Sequence, residues 1–545
     1  DSPTDNFTTF NSIGSCNVSG QALTISDGNL RSSAGGTSNA IEAIGTIAPT
    51  TGKYYAEFTL NAAPQLSNQY PAIGIIGIDL NITGGNNLNS STFFGYLPSG
   101  NKLSGGSSSS YGDTYGNGDI IGIALDLDNQ KIYFSKNGTY QNSGDPAAGS
   151  NAAFTSLVAG TKYRFCVSHA GSSATDVTMN AGQSAFNTAA PTGFSPMSTA
   201  NLPDPTIALP TDHFDTKLWT GNDTDGRAIT GYNFQPDWVW IKSRSGAYSH
   251  SITDAVRGAG PYIQSNTSDA EASGPGAFGS TLAFTSDGYT LDNGTSDNLY
   301  VNAGSETYVG WAWKANGSGS SNENGSISAT VSANTTAGFS VGIYTGNGTD
   351  NATVGHGLGG ADMVWVKRRN TTGNWRVYHK HTNKLLYLDL TNAGVSPTEI
   401  KSTSSTTFTL GSGNGFNGSG DTHVFYAFQS IDGFSKISSY VGNGSTNGSY
   451  VYTGFRPAWV LLKRTNAVQE WQVYDDKRSP FNPVTDRLQA NSNSAEDDLS
   501  PNDNELDFLS NGFKLIEDNG GMNASGSTYL YMAFAETPFK TATAR

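Results

Sequence analysis

Three segments in the C-terminal two-thirds of the chain carry tryptophan, lysine and arginine in the same order, a combination that could bind a sugar. They run from Phe234 to Arg244, from Leu358 to Arg368 and from Phe455 to Arg464. Indole rings can stack on sugar faces while neighbouring polar groups supply hydrogen bonds. The candidate sugar platforms and their neighbouring cations are Trp240 with Lys242, Trp365 with Lys367, and Trp459 with Lys463.

A structural interpretation explains the same repetition without a ligand. Aromatic and basic residues that alternate along one buried strand would place the aromatic side chain inward and the cation outward. An active site could not be copied so loosely and still work, so the repetition indicates duplicated architecture. We favour this interpretation and predict that Trp240, Trp365 and either Trp459 or Val460 lie in equivalent strands of one β fold.

Other ionisable residues could act as metal ligands or as catalytic acids. His379 and His381 offer two metal ligands on one strand face, but no third ligand accompanies them, so a surface strand is favoured. The carboxylates at 475–476 and 496–498 fall in polar segments and are interpreted as solvated loop acids. The chain has no Gly-x-Ser-x-Gly elbow and no phosphate-cradling loop with a lysine. We predict no enzyme activity, no catalytic residue, no metal site and no cofactor.

The charge and hydropathy of the chain exclude two kinds of partner. Acidic residues outnumber basic ones by 45 to 30, which gives a formal net charge of −15. Nucleic acid is therefore not expected, because neutralising phosphates requires clustered lysine and arginine. Membrane insertion is not expected either, because no apolar run approaches the ~20 residues of a membrane helix.

The composition indicates that strands, rather than helices, position these residues. Glycine accounts for 66 of 545 residues, aromatic residues for 11% and charged residues for only 14%, which favours short strands and many turns. Apolar residues are not sustained at helical spacing, whereas alternation is frequent, as in Tyr54–Leu60 and Lys131–Ser135. We predict an all-β protein whose length suggests about three to five domains.

The most specific string in the chain predicts a hairpin. An apolar strand runs from Ile120 to Leu127, Asp128-Asn129 supplies a turn, an alternating strand returns from Lys131 to Ser135, and Asn137-Gly138 signals a type I′ turn. Its Gly-Asp, Ile-Gly, Leu-Asp and Phe-Ser-x-Asn-Gly elements resemble the core of the SPRY (B30.2-like) family. The resemblance extends upstream to Gly52–Glu57 and downstream to Asn180–Gly182, Phe186 and Pro191–Phe194.

The SPRY resemblance implies a fold and a kind of function for residues 1–196. The family folds as an antiparallel β-sandwich of the concanavalin type, so Ile121, Ile123, Leu125 and Phe134 should be buried. Its members bind partners through loops at one end, which implies recognition and not catalysis. The paired acids Asp126 and Asp128 would be a strand end and a turn in this family, without a full oxygen cage for calcium.

Aromatic residues near the loops of this sandwich are the candidate ligand contacts. The loop at 81–110 is rich in Gly, Ser and Asn, so its contact surface does not follow from the family. Aromatic faces can stack on sugars or apolar side chains. The alternative is that these rings pack under the loops as part of the core. The candidate ligand-binding residues are Phe94, Tyr96, Tyr111 and Tyr115.

The repeated segments divide the rest of the chain into modules. We predict a linker at 197–212, stiffened by prolines, followed by three related antiparallel β domains at 213–318, 330–430 and 431–540. The lysines of the three copies lie 125 and 96 residues apart, too far for a solenoid repeat, so we expect beads on a string instead of one continuous core. The run Asn316–Asn322 has the composition of a flexible linker.

The two cysteines leave two alternatives open. Cys16 and Cys166 could form one bridge between the ends of the first domain, or they could be two buried free thiols. Free thiols are favoured, because free cysteine is among the most buried residue types.

The complete layout, including 201–206 and the three modules, resembles a class of tailed-bacteriophage proteins encoded among tail fibre or appendage genes. This resemblance implies an extracellular virion protein that recognises a glycan or an envelope protein on the bacterial surface, with other virion proteins as partners and a homotrimer as one assembly. The alternatives are a structural spacer or decoration protein of the virion, and a secreted bacterial adhesin or glycan-degrading enzyme. A neutral or weakly polar ligand is expected because the chain is acidic.

Overall fold

The chain divides into two compact units, each described by itself. The computed structural model describes residues 5–13, 23–35, 37–62, 70–78, 87–171, 173–274, 276–295, 297, 299–498 and 505–541. The first unit ends at Asp204 and the second begins at Pro205. The division therefore falls inside the predicted linker, whose first residues belong to the first unit: Ser198 bridges to Phe7, and the Asn6 amide donates to the Thr199 hydroxyl.

The first unit is built from fourteen described strands. In chain order they are β1 Leu23–Ser26, β2 Arg31–Ala34, β3 Thr37–Ile44, β4 Lys53–Ala62, β5 Ala72–Gly77, β6 Phe93–Tyr96, β7 Asn101–Ser104, β8 Ser107–Ser110, β9 Ile120–Asp126, β10 Lys131–Lys136, β11 Thr139–Tyr140, β12 Tyr163–Gly171, β13 Thr175–Asn180 and β14 Ser195–Pro196. Short 3-10 turns cover Asn87–Asn89, Gln141–Ser143 and Thr199–Asn201.

These strands form the predicted sandwich. One sheet has the order β1-β2-β13-β4-β9-β10-β11, with β14 pairing β4 in parallel, and the other has the order β3-β12-β5-β6-β7-β8. Ile121, Ile123, Leu125 and Phe134 are fully buried, as predicted. The hairpin is also confirmed: Lys131 pairs with Asp126, and Asn137 and Gly138 both have positive φ, as a type I′ turn requires.

The return strand of this hairpin does not alternate in burial as its sequence predicts. Residues 132–135 are all buried. The outer face of the sheet is covered in turn, because Phe194 and the partly buried Phe186 pack against Tyr55 and Tyr133. The closing segment therefore acts as a second cover on this sheet.

The second unit contains three groups of strands, one for each predicted module. Copy 1 has β15 Phe214–Thr220, β16 Arg227–Thr230, β17 Trp238–Ser243, β18 Ser251–Asp254, β19 Gly258–Ile263, β20 Ser280–Thr285, β21 Gly288–Asp292 and β22 Thr307–Trp313. Copy 2 has β23 Ser320–Asn322, β24 Ala329–Asn334, β25 Phe339–Thr345, β26 Thr353–Gly355, β27 Met363–Arg368, β28 Arg376–His379, β29 Lys384–Leu386, β30 Ile400–Thr403, β31 Thr407–Leu410, the short helix α1 Asn414–Asn417, and β32 Thr422–Phe428. Copy 3 has β33 Ser435–Val441, β34 Tyr450–Tyr452, β35 Phe455–Arg464, β36 Gln472–Asp475, β37 Asp486–Gln489, β38 Asp497–Asp498, β39 Leu506–Leu509, β40 Gly512–Leu515 and β41 Thr528–Pro538. Short 3-10 turns at Pro210–Asp212 and Phe539–Thr541 flank the three copies.

The three copies share one topology. Their large sheets contain the orders β15-β22-β17-β18-β19, β25-β32-β27-β28-β29 and β33-β41-β35-β36-β37, and their small sheets have the orders β16-β21-β20, β26-β31-β30 and β34-β40-β39. The strand with the repeated tryptophan and lysine is central in each large sheet. The predicted triplication of one β fold is therefore confirmed at the level of strand order.

Strand register corrects the predicted equivalence of the tryptophans. Trp240 pairs with Trp311 and Trp365 with Tyr426, but the matching position in copy 3 is Leu461, which pairs with Met532. Trp459 instead corresponds to Trp238 and Met363, each of which faces the last aromatic residue of its neighbouring strand. Trp459 therefore lies in the equivalent strand, as predicted, but two residues before the position that Trp240 and Trp365 occupy.

The cations also face differently from the prediction. Lys242, Lys367 and Lys463 are fully buried, not outward. Successive side chains point to opposite faces of a strand, so Trp240 and Lys242, two residues apart, share one face. This spacing, and not the solubility of lysine, decides which way the ammonium group points.

The three copies of the second unit share one central core, in addition to a separate smaller core within each copy, which contradicts the beads-on-a-string prediction. A single cluster contains buried tryptophans from all three copies. Ring centroids join the copies directly: Trp238 lies 5.9 Å from Trp365, and Trp313 lies 5.7 Å from Trp459. The copies are too small to bury these rings alone, so each uses its neighbours as part of its own core.

Two further segments are ordered by this packing. Ser320–Asn322, part of the predicted flexible linker, forms the edge strand β23 of copy 2. At the start and end of the unit, a side chain on Gly433 would meet Pro205 at 3.4 Å and Pro538 at 3.6 Å. The chain therefore enters and leaves the second unit at neighbouring places.

The cysteine alternatives are resolved only for one residue. Cys166 is a buried free thiol whose pKa is raised by burial, whereas Cys16 lies outside the described residues. Within the part of the chain that the structure describes, no helix is long and apolar enough to cross a bilayer.

Candidate functional site

The four predicted ligand contacts in the first unit lie in its core. Tyr96 and Tyr115 are fully buried, and Phe94 and Tyr111 are 3% and 9% exposed. The Tyr96 ring lies 5.5 Å from that of Tyr111 and 5.1 Å from that of Tyr115, and Phe94 packs edge-on against Phe154 at 5.2 Å. These rings therefore match the packing alternative, and they present no open face on which a sugar could stack.

The tyrosine hydroxyls support the loop above them. Tyr115 donates to the Tyr96 carbonyl at 2.7 Å and lies 2.8 Å from the Pro71 carbonyl, while Tyr96 donates to the Asp113 carbonyl. Burial raises the pKa of Tyr111 to about 12, so this hydroxyl stays neutral. The exposed side chains of this region are small and polar, those of Ser107–Ser110, Asp113, Thr114 and Asn117.

The buried lysines of the second unit bind backbone carbonyls. Because burial penalises the ammonium ion, the pKa of Lys242 falls to about 7 and those of Lys367 and Lys463 to about 8. No lysine of this set meets the surface where an anion could bind. The acceptors are Ser243 and Gly246 for Lys242 at 2.6 and 3.1 Å, Gly373 and Thr267 for Lys367 at 2.6 and 3.3 Å, and Thr391 and Gln469 for Lys463, the first at 2.8 Å.

These contacts join the copies in a fixed cyclic order. Lys367 of copy 2 reaches Thr267 of copy 1, and Lys463 of copy 3 reaches Thr391 of copy 2. The ring closes through backbone bonds at a third equivalent position: the Glu496 amide of copy 3 donates to the Arg244 carbonyl of copy 1 at 2.7 Å. The amides of Glu271 and Gly394 make the matching bonds to Arg369 and Thr465, at 2.9 and 2.8 Å.

Charged groups reinforce two of the three junctions. Glu271 bridges Arg257 of its own copy and Arg369 of copy 2, at 2.9 and 2.8 Å. Glu496 makes the same bridge between Arg478 and Arg244, at 2.9 and 2.6 Å. Glu496 is therefore a junction residue, which corrects its interpretation as a solvated loop acid. The junction of copies 2 and 3 has Gly394 and Thr465 at these positions.

The acids at 475–476 are also buried, contrary to the prediction. Asp475 is fully buried and pairs with Arg478 at 2.6 Å. Asp476 is 2% exposed, and burial raises its pKa to about 7. Both acids belong to the interior of the unit.

The histidine pair considered for metal binding occupies a structural position. His379 is buried instead of lying on a surface strand, its pKa is lowered to about 3 by burial, and its Nδ1 lies 2.9 Å from the Thr382 hydroxyl. By strand register its equivalents are Asp254 in copy 1 and Asp475 in copy 3. Among the described residues, no group of three or more His, Cys, Asp or Glu side chains is placed to hold a metal ion.

A family model covers the second unit from end to end. Residues 209–538, more than half of the chain, match the model described as "Domain of unknown function (DUF7483)". The chain belongs to the DUF7483 family. The match spans all three copies, in agreement with their shared central core. We call residues 209–538 the DUF7483 region.

Outside the DUF7483 region, residues 53–184 match the SPRY domain model, which confirms the SPRY resemblance. Similar solved structures are the SPRY domain of human HERC1 (19% identity, 30% of this chain and 94% of that chain, TM-score 0.25), the TRIM65 PSpry domain (13%, 32% and 92%, 0.24) and stonustoxin (13%, 32% and 27%, 0.23). The search of curated proteins finds no match.

A cleft in the DUF7483 region was missed by the sequence analysis. It has a volume of about 500 Å³ and lies where copy 1 meets copy 2. Its polar lining comes from three segments, around Ser268, Arg368–Arg376 and Asn414, that are far apart in the chain. Arg368 lay within a repeated segment, but no local signal joined it to the other two.

Proposed function

We propose that the chain is a virion appendage protein of a tailed bacteriophage that recognises a glycan or an envelope protein on the bacterial surface. The observation that supports this best is the joining of a SPRY sandwich to a body whose three copies share one core. Such a body displays exposed loops on a firm support, as an attachment protein outside the cell requires. The sequence resemblance to appendage proteins supports the same proposal.

The proposed contact surface of the SPRY domain is its polar loop, not the rings beneath it. Asp113 and Thr114 are exposed above the buried tyrosines, next to the exposed strand Ser107–Ser110. Hydroxyl, amide and carboxylate groups can exchange hydrogen bonds with a polar ligand. The proposal is binding without cleavage, at a virion location, with other virion proteins and a host surface molecule as partners.

Two alternative functions are compatible with the same architecture. A spacer or decoration protein of the virion would use the closed three-copy body for length and attachment and would not bind cells. A secreted bacterial adhesin would bind surfaces without belonging to a virion. Antibodies against the chain, applied to purified virions, separate the adhesin from the other two.

The test is adsorption of the fluorescently labelled, purified chain to a panel of bacterial strains, with and without removal of surface polysaccharide. We expect saturable binding to some strains, lost on stripping for a glycan ligand and retained for an envelope protein. Binding should depend little on salt, because Coulomb attraction contributes little for an acidic chain and a weakly polar ligand.

Paired substitutions identify the surface that carries adsorption. Asp113→Ala with Thr114→Ala should weaken it, whereas Thr192→Ala, an exposed residue of the closing segment, is the control. Tyr111→Ala and Tyr115→Ala are not suitable tests, because they would remove the support of the loop. Weaker adsorption of these variants would not distinguish loss of a ligand contact from loss of folding. Absence of saturable adsorption to every strain would favour the spacer, and release of sugar from the cells would contradict binding without cleavage.

A further inference from the structure

The cleft between copies 1 and 2 presents hydrogen-bonding groups from both copies. Its lining includes Ser268 of copy 1 and five polar residues of copy 2: Arg368, Thr372, Asn374, Arg376 and Asn414. Its volume of about 500 Å³ lies within the roughly 300–1,000 Å³ of small-molecule sites. The cleft is shallow and open to solvent, so a ligand would lie across the junction of the two copies.

The two guanidinium groups are held in place both by acids outside the cleft and by backbone carbonyls of its lining. Arg368 donates to the carbonyls of Thr372 and Asn414. Arg376 donates to that of Asn374. Arg376 donates through Nε to Glu399 at 2.6 Å, and its guanidinium lies 5.6 Å from the Tyr387 ring. Arg368 donates through Nη1 to Asp421 at 3.2 Å. Arginine side chains fixed in this way lose little further entropy when they bind a ligand.

One donor beside this cleft has no protein partner in the described part of the chain. The Arg368 Nε is buried beside Gly373 and makes no hydrogen bond within the described residues. Because protein atoms enclose this Nε, the groups that an occupant of the cleft can reach are the exposed side chains of its lining. The side chains of Thr372 and Asn414 are exposed and add hydroxyl and amide groups.

The charges around the cleft favour a neutral occupant over an anion. Both cations are already paired, Arg368 with Asp421 and Arg376 with Glu399, and the formal charges of these pairs cancel. The lining itself combines guanidinium, amide and hydroxyl groups, of which the amides and hydroxyls can both donate and accept. Hydroxyl groups of a neutral sugar have the same dual character.

We propose that this cleft of the DUF7483 region is a binding site for a short neutral saccharide. The inference rests on the proposed recognition of the bacterial surface and names the chemistry of one ligand. It places a recognition site in the three-copy body, in addition to the SPRY loops.

The repeat supplies variants that the fold already tolerates. Copy 3 has Gln472 at the position of Arg376, so Arg376→Gln introduces a residue that this fold already accepts there. Arg464 is the copy 3 equivalent of Arg368, and it lies away from the cleft. Arg464→Gln is therefore a control that removes the same charge, and the exposed Asn414 can be changed to Ala as a second test variant.

The experiment is calorimetric titration of the full chain with maltotriose, cellotriose, chitotriose and mannotriose, and with the acidic trigalacturonate. At least one neutral trisaccharide should bind, with an affinity that is unchanged between low and high salt. Arg376→Gln and Asn414→Ala should each weaken it about tenfold, the equivalent of ~1.4 kcal/mol. Arg464→Gln should leave it unchanged, and thermal melts show whether each variant is folded.

Several outcomes would overturn the proposal. One is that none of the neutral trisaccharides binds, and another is that binding survives both cleft substitutions in folded protein. Salt-sensitive binding of trigalacturonate alone would show an anion site. The proposal of host recognition is tested separately. If the chain adsorbs to cells and the cleft variants adsorb equally well, host recognition stands and this site is rejected. If the chain binds a saccharide but does not adsorb to cells, this site stands and host recognition is rejected.

Discussion

At one buried position the three copies use different residues for the same task. Asp254 and Asp475 pair with arginines three residues later, at 2.5 and 2.6 Å, while His379 contacts Thr382 instead. A neighbouring copy supplies a hydrogen-bond donor to each of the two aspartates. Tyr426 donates to Asp254 at 2.8 Å, and the Trp311 indole donates to Asp475 at 3.0 Å. Each acid is therefore paired with an arginine of its own copy and accepts a neutral hydrogen bond from a neighbouring copy, because a buried charge needs more than one partner.

Exchanging the residues of copy 2 for those of copies 1 and 3 tests this equivalence. His379→Asp alone should destabilise the DUF7483 region by about 3 kcal/mol, because it leaves a buried carboxylate without an arginine. His379→Asp with Thr382→Arg should recover at least half of that loss. Chemical denaturation followed by tryptophan fluorescence measures both variants. Equal instability of the single and double variants would show that position 379 is not equivalent to 254 and 475.

The lowered pKa of a buried lysine predicts a pH-dependent stability. Lys242 loses its proton near pH 7 in the folded state, whereas the unfolded chain keeps it to about 10.5. Between these pH values the unfolded state binds more protons, so rising pH stabilises the folded state by up to ~1.4 kcal/mol per pH unit. The free energy of unfolding of the wild type, minus that of Lys242→Met, should therefore rise from pH 7 to pH 9. The exposed Lys380→Met is the control, and a flat difference for Lys242→Met would refute the prediction.

At the scale of elements, the repeated Gly-Asn turns are explained by buried asparagines. Asn302, Asn417 and Asn523 are fully buried, and their side-chain oxygens accept the amides of Asn222, Asn347 and Asn443 at 3.3, 3.0 and 3.0 Å. The preceding glycines allow close approach: a Cβ on Gly346 would lie 2.4 Å from the Gly418 carbonyl. The Gly-Asn pairs after the first strand of each copy therefore serve close packing against the buried asparagines.

This close approach predicts a large effect for a small change. Gly346→Ala should destabilise the fold by more than ~2 kcal/mol, because the new methyl group meets backbone that cannot move aside cheaply. Gly359→Ala in the same copy is the control, with its nearest neighbour at 3.8 Å and an expected effect within ~0.5 kcal/mol. Denaturant midpoints measure the stability of both variants. Similar midpoints for Gly346→Ala and Gly359→Ala would contradict the predicted steric effect at Gly346.

The sequence predicted local elements better than their surroundings. The hairpin from Ile120 to Ser135 could be read directly, because its turns and apolar strand are encoded by neighbouring residues. The burial of Lys463 could not be read, because one of its acceptors, Thr391, comes from another copy. The arginine-lined cleft has the same origin, since its walls are distant in sequence.

At the scale of the whole molecule, the DUF7483 region is one body made of three copies that each contact the other two. Contacts run from copy 2 to copy 1, from copy 3 to copy 2 and from copy 1 to copy 3, and all share one aromatic core. Removing a copy would expose the tryptophans of its neighbours. The copies should therefore be interdependent in folding.

This interdependence gives a test by truncation. All nine tryptophans lie between 219 and 471, so their fluorescence reports only on the DUF7483 region. The full chain should show a single fluorescence transition in denaturant, and a chain ending at 430 should lack native tryptophan emission. The SPRY domain of the truncated chain, followed by amide hydrogen exchange, is the internal control. Native tryptophan emission from the chain ending at 430 would show that the first two copies fold without the third.

Pro205 and Pro538 both lie beside Gly433, so the two ends of the DUF7483 region are close together. A segment with adjoining ends can be inserted into a surface loop of an unrelated protein without stretching either host or guest. The DUF7483 region is in this sense a portable cassette, which evolution or an engineer can mount on a different carrier in place of the SPRY domain.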